Sequence, residues 1–157
     1  MTITAPEKEL LDEELLARFD RRAPVYDKEH RFFTEDFEEL RDRGYLLAAV
    51  PTSFGGLGLS FAEVQQLQRR LAYVAPATAL AVNMHFYWTG MATELHNMGD
   101  SSCDWMLEEA ANGAVFAAGH GEVGNDLGLF MSTMTADKVE GGWEFTGHKI
   151  FGSLTPV

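Results

Sequence analysis

The spacing of the apolar residues changes near Gly113, and this change constrains the fold more than any other feature of the sequence. Before it, apolar side chains recur every three or four residues, as in LLDEELLARF at residues 10–19, which is typical of amphipathic helices. After it, residues 130–139 alternate in strand fashion. We therefore predict an α+β chain, in which a mostly α N-terminal helical domain over residues 1–112 precedes the first strands of an antiparallel β-domain over residues 113–157.

The first two helices are predicted from a proline and a cap signal. Residues 7–43 have a helical pattern, and we expect Pro24 to end or restart the first helix, because proline lacks the backbone donor that a helix interior uses. Thr34 is followed by two acidic residues and is predicted to cap the second helix. That helix is predicted to stop at Gly44.

Three further helices are predicted before the change of pattern. Ser60 and Glu63 have the spacing of a capping box, which predicts the start of a third helix. Pro76 stands where a first helical turn tolerates proline and opens a fourth helix that runs to about Met98. Because this helix is apolar nearly all round, we expect it to be central and buried. A short fifth helix is predicted for residues 100–112.

The last part of the chain has the pattern of a β-hairpin and the start of another strand. Two glycines at 141–142 separate the run 130–139 from WEFT at 143–146. A further apolar run begins at 149–151. Since three or so strands leave open edges and a half-built core, we expect this β-domain to be partial and truncated. The rest of the polypeptide, or a second chain, is expected to complete it.

The charge of the chain restricts its partners. It has 24 acidic and 12 basic residues, a formal net charge of −12, which argues against nucleic acid and anionic membrane surfaces as partners. Only Lys138 and Lys149 are basic after Arg70. The second half of the chain therefore offers little positive charge to an anionic ligand.

Cysteine usage and hydropathy indicate the cellular compartment of the protein. Cys103 is the only cysteine, so an intramolecular disulfide cannot form, and a reducing compartment fits best. No run approaches the roughly 18 apolar residues of a membrane span, and the acidic N-terminus has no secretory signal pattern. We predict a soluble, cytoplasmic protein without a membrane partner.

Three segments, in order, together resemble the acyl-CoA dehydrogenase family. Residues 50–60, VPTSFGGLGLS, are similar to the family's V-P-x-x-[YF]-G-G-x-G loop. Residues 116–126, FAAGHGEVGND, are similar to its [YF]-x-x-T-E-P-x-A-G-S-D segment. Residues 142–153, GWEFTGHKIFGS, resemble its G-[YW]-x-[LI]-x-G-x-K-x-[WF]-[IC]-[TS] segment. Typical members continue through the β-domain into a C-terminal helical bundle and are more than twice this long.

The resemblance implies an FAD site on the second and third segments. Phe151 would flank the isoalloxazine ring, Ser153 would hydrogen-bond near its reactive nitrogen, and Asn125 would stand where a serine commonly meets the pyrophosphate or substrate. A flat apolar wall with a few donors suits a flavin. The residues implied to contact the cofactor are Phe116, Ala118, Gly119, Asn125, Phe151 and Ser153.

The resemblance also implies a reaction and two alternatives to it. The expected activity is α,β-dehydrogenation of an acyl-CoA thioester, with a catalytic carboxylate from the C-terminal bundle that no residue of this chain matches. The usual Thr-Glu pair is Gly119-His120 here. This departure, the few basic residues and His85 point towards an alternative, a flavin-dependent monooxygenase of the same fold that uses reduced flavin and oxygen on an aromatic or heteroatom substrate. A non-catalytic fragment or partner subunit is the third interpretation. Family members are usually oligomers, so a homo-oligomer, or completion by a second chain, is expected.

Among the polar residues, His85 is the candidate for proton transfer. It lies on the fourth helix, which the family places along the substrate cavity, and a half-buried histidine titrates near neutral pH. The alternative is a core histidine bound to a backbone carbonyl.

Other motifs are predicted to be structural. His120 is expected to be a solvated loop histidine, His148 gives no sign of a functional role, and Cys103 is expected to be a buried or inert thiol. His85 and His96 are eleven residues apart, which is not a chelating spacing on a helix, so no metal site is predicted. The glycine-rich loop in 50–60 lacks the lysine of a phosphate-binding loop and is predicted to be a tight interhelical turn.

Overall fold

The structure is a computed structural model that describes residues 10–124 and 131–157. Within these ranges, five α-helices precede one antiparallel hairpin, so the predicted α+β class is confirmed. The boundary at residue 112 stays a prediction. The elements in chain order are α1 (Glu13–Glu29), α2 (Thr34–Asp42), two 3-10 turns (Tyr45–Leu47 and Thr52–Phe54), α3 (Phe61–Val74), α4 (Pro76–Asn97), α5 (Asp104–Ala111), β1 (Thr135–Val139) and β2 (Gly142–Thr146).

Helix α1 continues through its proline. It begins after Asp12, whose Oδ1 accepts a hydrogen bond from the Leu15 N–H at 2.7 Å, and Pro24 lies inside it. The prediction that Pro24 ends or restarts the helix is therefore wrong. An interior proline costs about 3 kcal/mol. The buried side chains of Phe19 and Tyr26, one on each side of it, hold both halves of the helix in the core.

A buried carboxylate joins three helices. The Asp36 side chain of α2 is fully buried and accepts a hydrogen bond from the Tyr26 hydroxyl at 2.9 Å. Its Oδ1 lies 2.8 Å from the Arg22 Nε, and the Thr78 hydroxyl of α4 donates to its Oδ2 at 3.4 Å. Burial raises the pKa of Asp36, opposed by these partners. Asp36 therefore links α1, α2 and the start of α4.

Helix α2 starts without the predicted cap. The N-cap position is occupied by Phe33, with no side-chain cap hydrogen bond, and Thr34 is the first helical residue. The cap prediction for Thr34 is wrong because burial of Phe33, whose ring centroid lies 4.2 Å from that of Phe32, sets the entry of the chain. The predicted stop is close to the observed one: α2 ends at Asp42, and Gly44 follows with a φ of 72°.

Helices α3 and α4 begin where the sequence predicts. The Ser60 side chain accepts from the Glu63 N–H, and the Ser60 N–H donates to the Glu63 carboxylate at 2.8 Å, which confirms the capping box. Pro76 occupies the first turn of α4, also as predicted. Both starts are encoded by adjacent residues and need no tertiary partner.

Only one side of α4 is buried within the described residues. Its buried side chains recur with helical spacing and face α3, α5 and the first 3-10 turn. Leu80 is 67% exposed and Tyr87 is 44% exposed. The prediction of a helix buried on all sides is therefore wrong for this chain, because neighbouring elements cover one face only. The buried residues are Thr78, Ala79, Val82, His85, Phe86, Thr89 and Ala92.

Helix α5 is shorter than predicted. It covers Asp104–Ala111 rather than 100–112. The Asp100 carboxylate accepts a hydrogen bond from the Ser102 N–H at 2.9 Å, and such a local side-chain bond competes with helix formation. Met106 and Leu107 pack with Ala92 in a second, smaller core.

The β-hairpin is exposed on both faces. Strands β1 and β2 pair antiparallel, with Lys138 opposite Trp143 and Ala136 opposite Phe145, and every position of both strands is exposed. The predicted hairpin is confirmed. Of the predicted following strand, only a single bridge, between Gly121 and Ile150, is present in the described residues.

Candidate functional site

The glycine-rich loop binds the chain's own backbone. The N–H groups of Leu57 and Gly58 donate to the carbonyls of Leu47 and Val50 at 3.0 and 2.8 Å. Gly56 lies so close to Val50 that an added Cβ would be 2.2 Å from the Val50 carbonyl oxygen. Because these N–H groups donate to nearby backbone carbonyls, they are not available to bind a phosphate. The predicted interhelical turn is therefore confirmed.

His85 is buried and holds two backbone groups. The Phe116 N–H donates to its Nδ1 at 3.1 Å, and its Nε2 lies 3.0 Å from the Leu46 carbonyl oxygen. A backbone N–H can only donate, so Nδ1 is the acceptor. The neutral ring then carries its proton on Nε2, which donates to Leu46.

The environment of His85 keeps it neutral. The side chain has 0% exposure, and burial lowers its pKa to about 4, opposed by the hydrogen bond to Leu46. Both ring nitrogens are occupied by the backbone, as in the structural alternative considered from the sequence. The proton-transfer role of His85 stays a prediction.

A second side chain of α4 holds the residue that follows Phe116. The Trp88 Nε1–H donates to the Ala117 carbonyl at 3.0 Å. The Phe116 ring stacks beside the His85 ring at a centroid distance of 6.0 Å, and the Trp105 ring lies edge-on to it at 6.1 Å. The start of the second family-like segment is thus fixed to the helical part of the chain.

The second and third family-like segments lie side by side. The Ile150 N–H donates to the Gly121 carbonyl at 2.8 Å. This bond brings the neighbourhood of Gly119 next to that of Phe151, although the two are far apart in the sequence. The structure therefore brings together the two segments to which the resemblance assigns the flavin.

Glu122 is the residue of this region that the sequence reasoning missed. Its carboxylate, 3% exposed as a residue, accepts hydrogen bonds from the Ser132 hydroxyl and the Thr133 N–H, each at 2.6 Å, and from Lys149. The hydrogen bond from Lys149 lowers the pKa of Glu122 most, and the hydroxyl and backbone donors lower it further. Together they hold this pKa well below its usual range. A carboxylate in a glycine-rich loop gives no periodic signal, so nothing in the sequence pattern predicts this role.

The residues implied to contact the flavin differ in accessibility. Ala118 is buried and Phe116 is half-buried, whereas Gly119 is exposed. The Phe151 side chain is 77% exposed, and Ser153 is half-buried. Asn125 lies outside the described residues. Their assignment to a flavin stays a prediction.

An open groove of about 760 Å³ lies between the start of α3, the glycine-rich loop and α4. Phe61, Phe86 and Tyr87 provide aromatic surface. The charged side chains that line it, Glu63 and Glu94, are both carboxylates. The groove can therefore accept apolar or aromatic groups and repels phosphates. His85 is buried beside it and does not line it.

The remaining histidines and the cysteine have no metal-binding arrangement. His96 Nδ1 lies 3.0 Å from the Asp104 carboxylate, His148 is exposed, and Cys103 is half-buried and free. The His120 ring is half-buried and lies 5.7 Å from the Trp88 ring, so its predicted solvation is wrong. Over residues 10–124 and 131–157, no group of three or more potential ligands could hold a metal ion.

None of the helices in the described part of the chain is long and apolar enough to cross a membrane.

Comparison with known proteins gives a family and one relative. The family described as "Acyl-CoA dehydrogenase, N-terminal domain" matches residues 7–102. A Bacillus subtilis (strain 168) protein named "Putative acyl-CoA dehydrogenase YdbM" is 30% identical over 139 residues, which cover 87% of this chain and 36% of that protein. The chain therefore spans about a third of the length of this relative. No solved structure is significantly similar to the chain.

The matched region extends from α1 to the turn before α5 and includes the glycine-rich loop, His85 and Trp88. It covers more than half of the chain, and the relative's similarity continues beyond it. The chain belongs to the acyl-CoA dehydrogenase family.

Proposed function

We propose that this chain forms the N-terminal portion of an FAD-dependent dehydrogenase that introduces an α,β double bond into an acyl-CoA thioester. The observation that carries the proposal is the junction at residues 116–121, where α4, the second family-like segment and the third one meet. In this family the flavin lies against these segments. FAD, when bound, would accept the β-hydride.

The residues of the junction suit a flavin ring. The exposed Phe151 ring offers a flat apolar surface, and Gly119 has no side chain, so a planar group can approach its backbone. The Ser153 hydroxyl is a donor of the kind that tunes a flavin. Lys149, by contrast, is bound to Glu122, so the pyrophosphate charge would need partners other than this lysine.

The groove is a suitable binding site for the apolar acyl chain of the substrate. Its aromatic and acidic lining suits an uncharged acyl chain and repels the phosphates of CoA. The CoA moiety would then bind outside this groove. The α-proton would go to a carboxylate that lies outside this chain, as the family resemblance implies.

The test uses the full-length protein that contains this chain, purified without added flavin. We expect visible flavin absorption, and we expect saturated acyl-CoA esters to bleach it under anaerobic conditions. The matching enoyl-CoA should appear in equal amount. Retained flavin that no acyl-CoA ester reduces would contradict the dehydrogenase proposal.

A second candidate is a flavin-dependent monooxygenase acting on an aromatic substrate. The observation that favours it is the same groove, since its aromatic rings and two carboxylates fit an uncharged or cationic aromatic compound better than a CoA ester. Weakly held flavin that needs a separate reductase, with oxygen consumed when the aromatic substrate is present, would support this candidate. A protein without flavin under either condition would support the non-catalytic partner subunit.

A further inference from the structure

Two side chains one helical turn apart hold consecutive residues of the segment that leads into the β part of the chain. His85 Nδ1 accepts from the Phe116 N–H at 3.1 Å, and Trp88 Nε1–H donates to the Ala117 carbonyl at 3.0 Å. Residues at i and i+3 of a helix project from the same face. One face of α4 therefore satisfies the backbone donor of one residue and the backbone acceptor of the next.

The histidine makes a second connection that Trp88 does not. Its Nε2–H reaches the Leu46 carbonyl of the first 3-10 turn, 39 residues earlier in the chain. The ring thus bridges two backbone groups and fills the space between them. Buried hydrogen bonds of this kind are costly to remove, because the group left behind has no water to bind.

The surroundings of the ring leave it little freedom. Phe116 stacks beside it, the Phe86 ring is edge-on at 5.9 Å, and the side chain is fully buried. Releasing either nitrogen for proton exchange would break a backbone hydrogen bond. The contacts favour a fixed ring over one that exchanges protons with a substrate.

We infer that His85 and Trp88 are positioning residues, which fix residues 116–118 to the helical part of the chain and thereby align the wall that this segment offers to the flavin. The last step, from the fixed segment to the flavin, rests on the proposed function. The first step does not, and the two can be tested separately.

Two substitutions of His85 dissect its bonds. His85→Asn keeps an acceptor near the position of Nδ1 and loses the donor to Leu46, whereas His85→Gln keeps a donor near the position of Nε2 and loses the acceptor for Phe116. Trp88→Phe removes the donor to Ala117 together with part of the ring volume, and it leaves both bonds of His85 in place. These variants retain most of the side-chain volume of the native residues.

The first measurement is amide hydrogen exchange on the 157-residue chain. We expect exchange at the Phe116 N–H to rise about tenfold or more in His85→Gln and to rise far less in His85→Asn. Trp88→Phe removes a partner of the Ala117 carbonyl and not of an amide, so it should shift the carbonyl carbon resonance of Ala117 while leaving the His85 ring signals unchanged. The Leu71 amide in α3 reports global stability, and equal acceleration at Leu71 and Phe116 would overturn the inference.

The second measurement is the nitrogen NMR spectrum of the His85 ring. We expect an unprotonated Nδ1 and a protonated Nε2 near neutral pH. The opposite tautomer, or exchange at Phe116 that is the same in both His85 variants, would overturn the positioning role.

Flavin binding by the full-length protein separates this inference from the proposed function. We expect His85→Gln to weaken FAD retention more than His85→Asn does. If the wild-type protein holds no FAD while the exchange pattern is as expected, the proposed function fails and the positioning of residues 116–118 stands. If FAD is held equally by all variants, the alignment of the flavin wall is overturned.

Discussion

At the scale of single residues, the structure depends on a few close contacts that tolerate little change. Gly56 is one of them, because an added Cβ would lie 2.2 Å from the Val50 carbonyl oxygen and 2.4 Å from the Val50 Cβ. Both neighbours belong to the folded turn and cannot rotate away as the end of a long side chain could. Glycine is required at this position because a side chain has no room beside Val50, and not because of the backbone dihedral angles.

Gly56→Ala is therefore expected to lower the free energy of unfolding by about 2 kcal/mol, the cost of forcing extra volume into a packed site. Gly90→Ala is the matched control, since its Cβ meets nothing within 4 Å on α4. It should raise the free energy of unfolding by about 0.5–1 kcal/mol through helix propensity. Urea denaturation of both variants checks the difference, and a similar loss for both would contradict the steric explanation.

His85 should make the stability of the protein depend on pH. Its pKa falls from the ordinary 6.5 to about 4 in the folded chain, so between these values the unfolded state binds the extra proton. The free energy of unfolding therefore falls as pH drops through this window and levels off below it. From pH 7 to pH 5 the loss from this group is about 2 kcal/mol.

The asparagine of His85→Asn does not titrate. Between pH 7 and pH 5, the free energy of unfolding of this variant should therefore fall by about 2 kcal/mol less than that of the wild type. Denaturation curves at several pH values, recorded for both proteins, give the comparison. Carboxylates whose pKa is lowered titrate in both and cancel in the difference. Parallel pH profiles would mean that the ring is accessible to protons in the folded state.

The residue scale also shows what a sequence can predict about this site. The position of His85 on a helix and the alternative of a backbone-bound ring follow from local pattern. Its partners do not, because Leu46 and Phe116 are 39 and 31 residues away, and no spacing rule connects them. Glu122 was missed for the same reason, since its donors come from residues 132–133 and 149.

At the scale of elements, the starts of α3 and α4 were predicted correctly, whereas the start of α2 and the interiors of α1 and α4 were not. The capping box at Ser60 and the proline at the start of α4 are encoded by neighbouring residues. Pro24 and the exposed side of α4 depend on what packs against each helix. Tertiary contacts there override local propensity, which a pattern of single residues cannot report.

The link between α1, α2 and α4 through Asp36 predicts a strong stability effect. Asp36→Asn removes the buried charge opposite Arg22, whose other partner, the Glu39 carboxylate at 2.7 Å, remains. We expect the free energy of unfolding to fall by about 2–4 kcal/mol, somewhat less than for a fully buried isolated pair because Arg22 retains Glu39 and solvent contact.

Asp20→Asn is the control for Asp36→Asn, since Asp20 is an exposed aspartate of α1. It should change the free energy of unfolding by no more than about 0.5 kcal/mol. Thermal and urea unfolding followed by circular dichroism would test the pair. Equal losses of unfolding free energy in the two variants would show that the contacts of Asp36 do not stabilise the fold more than an exposed aspartate does.

At the scale of the whole molecule, the helical part has two packed cores, whereas the hairpin has an apolar face with nothing described against it. Trp143 and Phe145 share that face and are 59% and 67% exposed. Exposed apolar strands favour association with other chains. The 157-residue chain is therefore expected to self-associate as its concentration rises.

The double substitution Trp143→Ser with Phe145→Ser should reduce that association without changing the unfolding of the helical part. Glu144→Gln, on the opposite face of β2, is the control and should leave association in place. Sedimentation velocity over a range of concentrations measures the effect. Association that is equal in the double variant and the wild type would assign it to another surface.

The bridge made by His85 has a consequence for the order in which the protein folds during its synthesis. Leu46 and α4 leave the ribosome before Phe116, which follows His85 by 31 residues, and N-terminal parts generally fold first. The Leu46 carbonyl can therefore fix the proton on Nε2 before Phe116 has left the ribosome. The lone pair of Nδ1 then already points outward when the segment that needs it arrives, so the helical part acts as a template for the start of the β part.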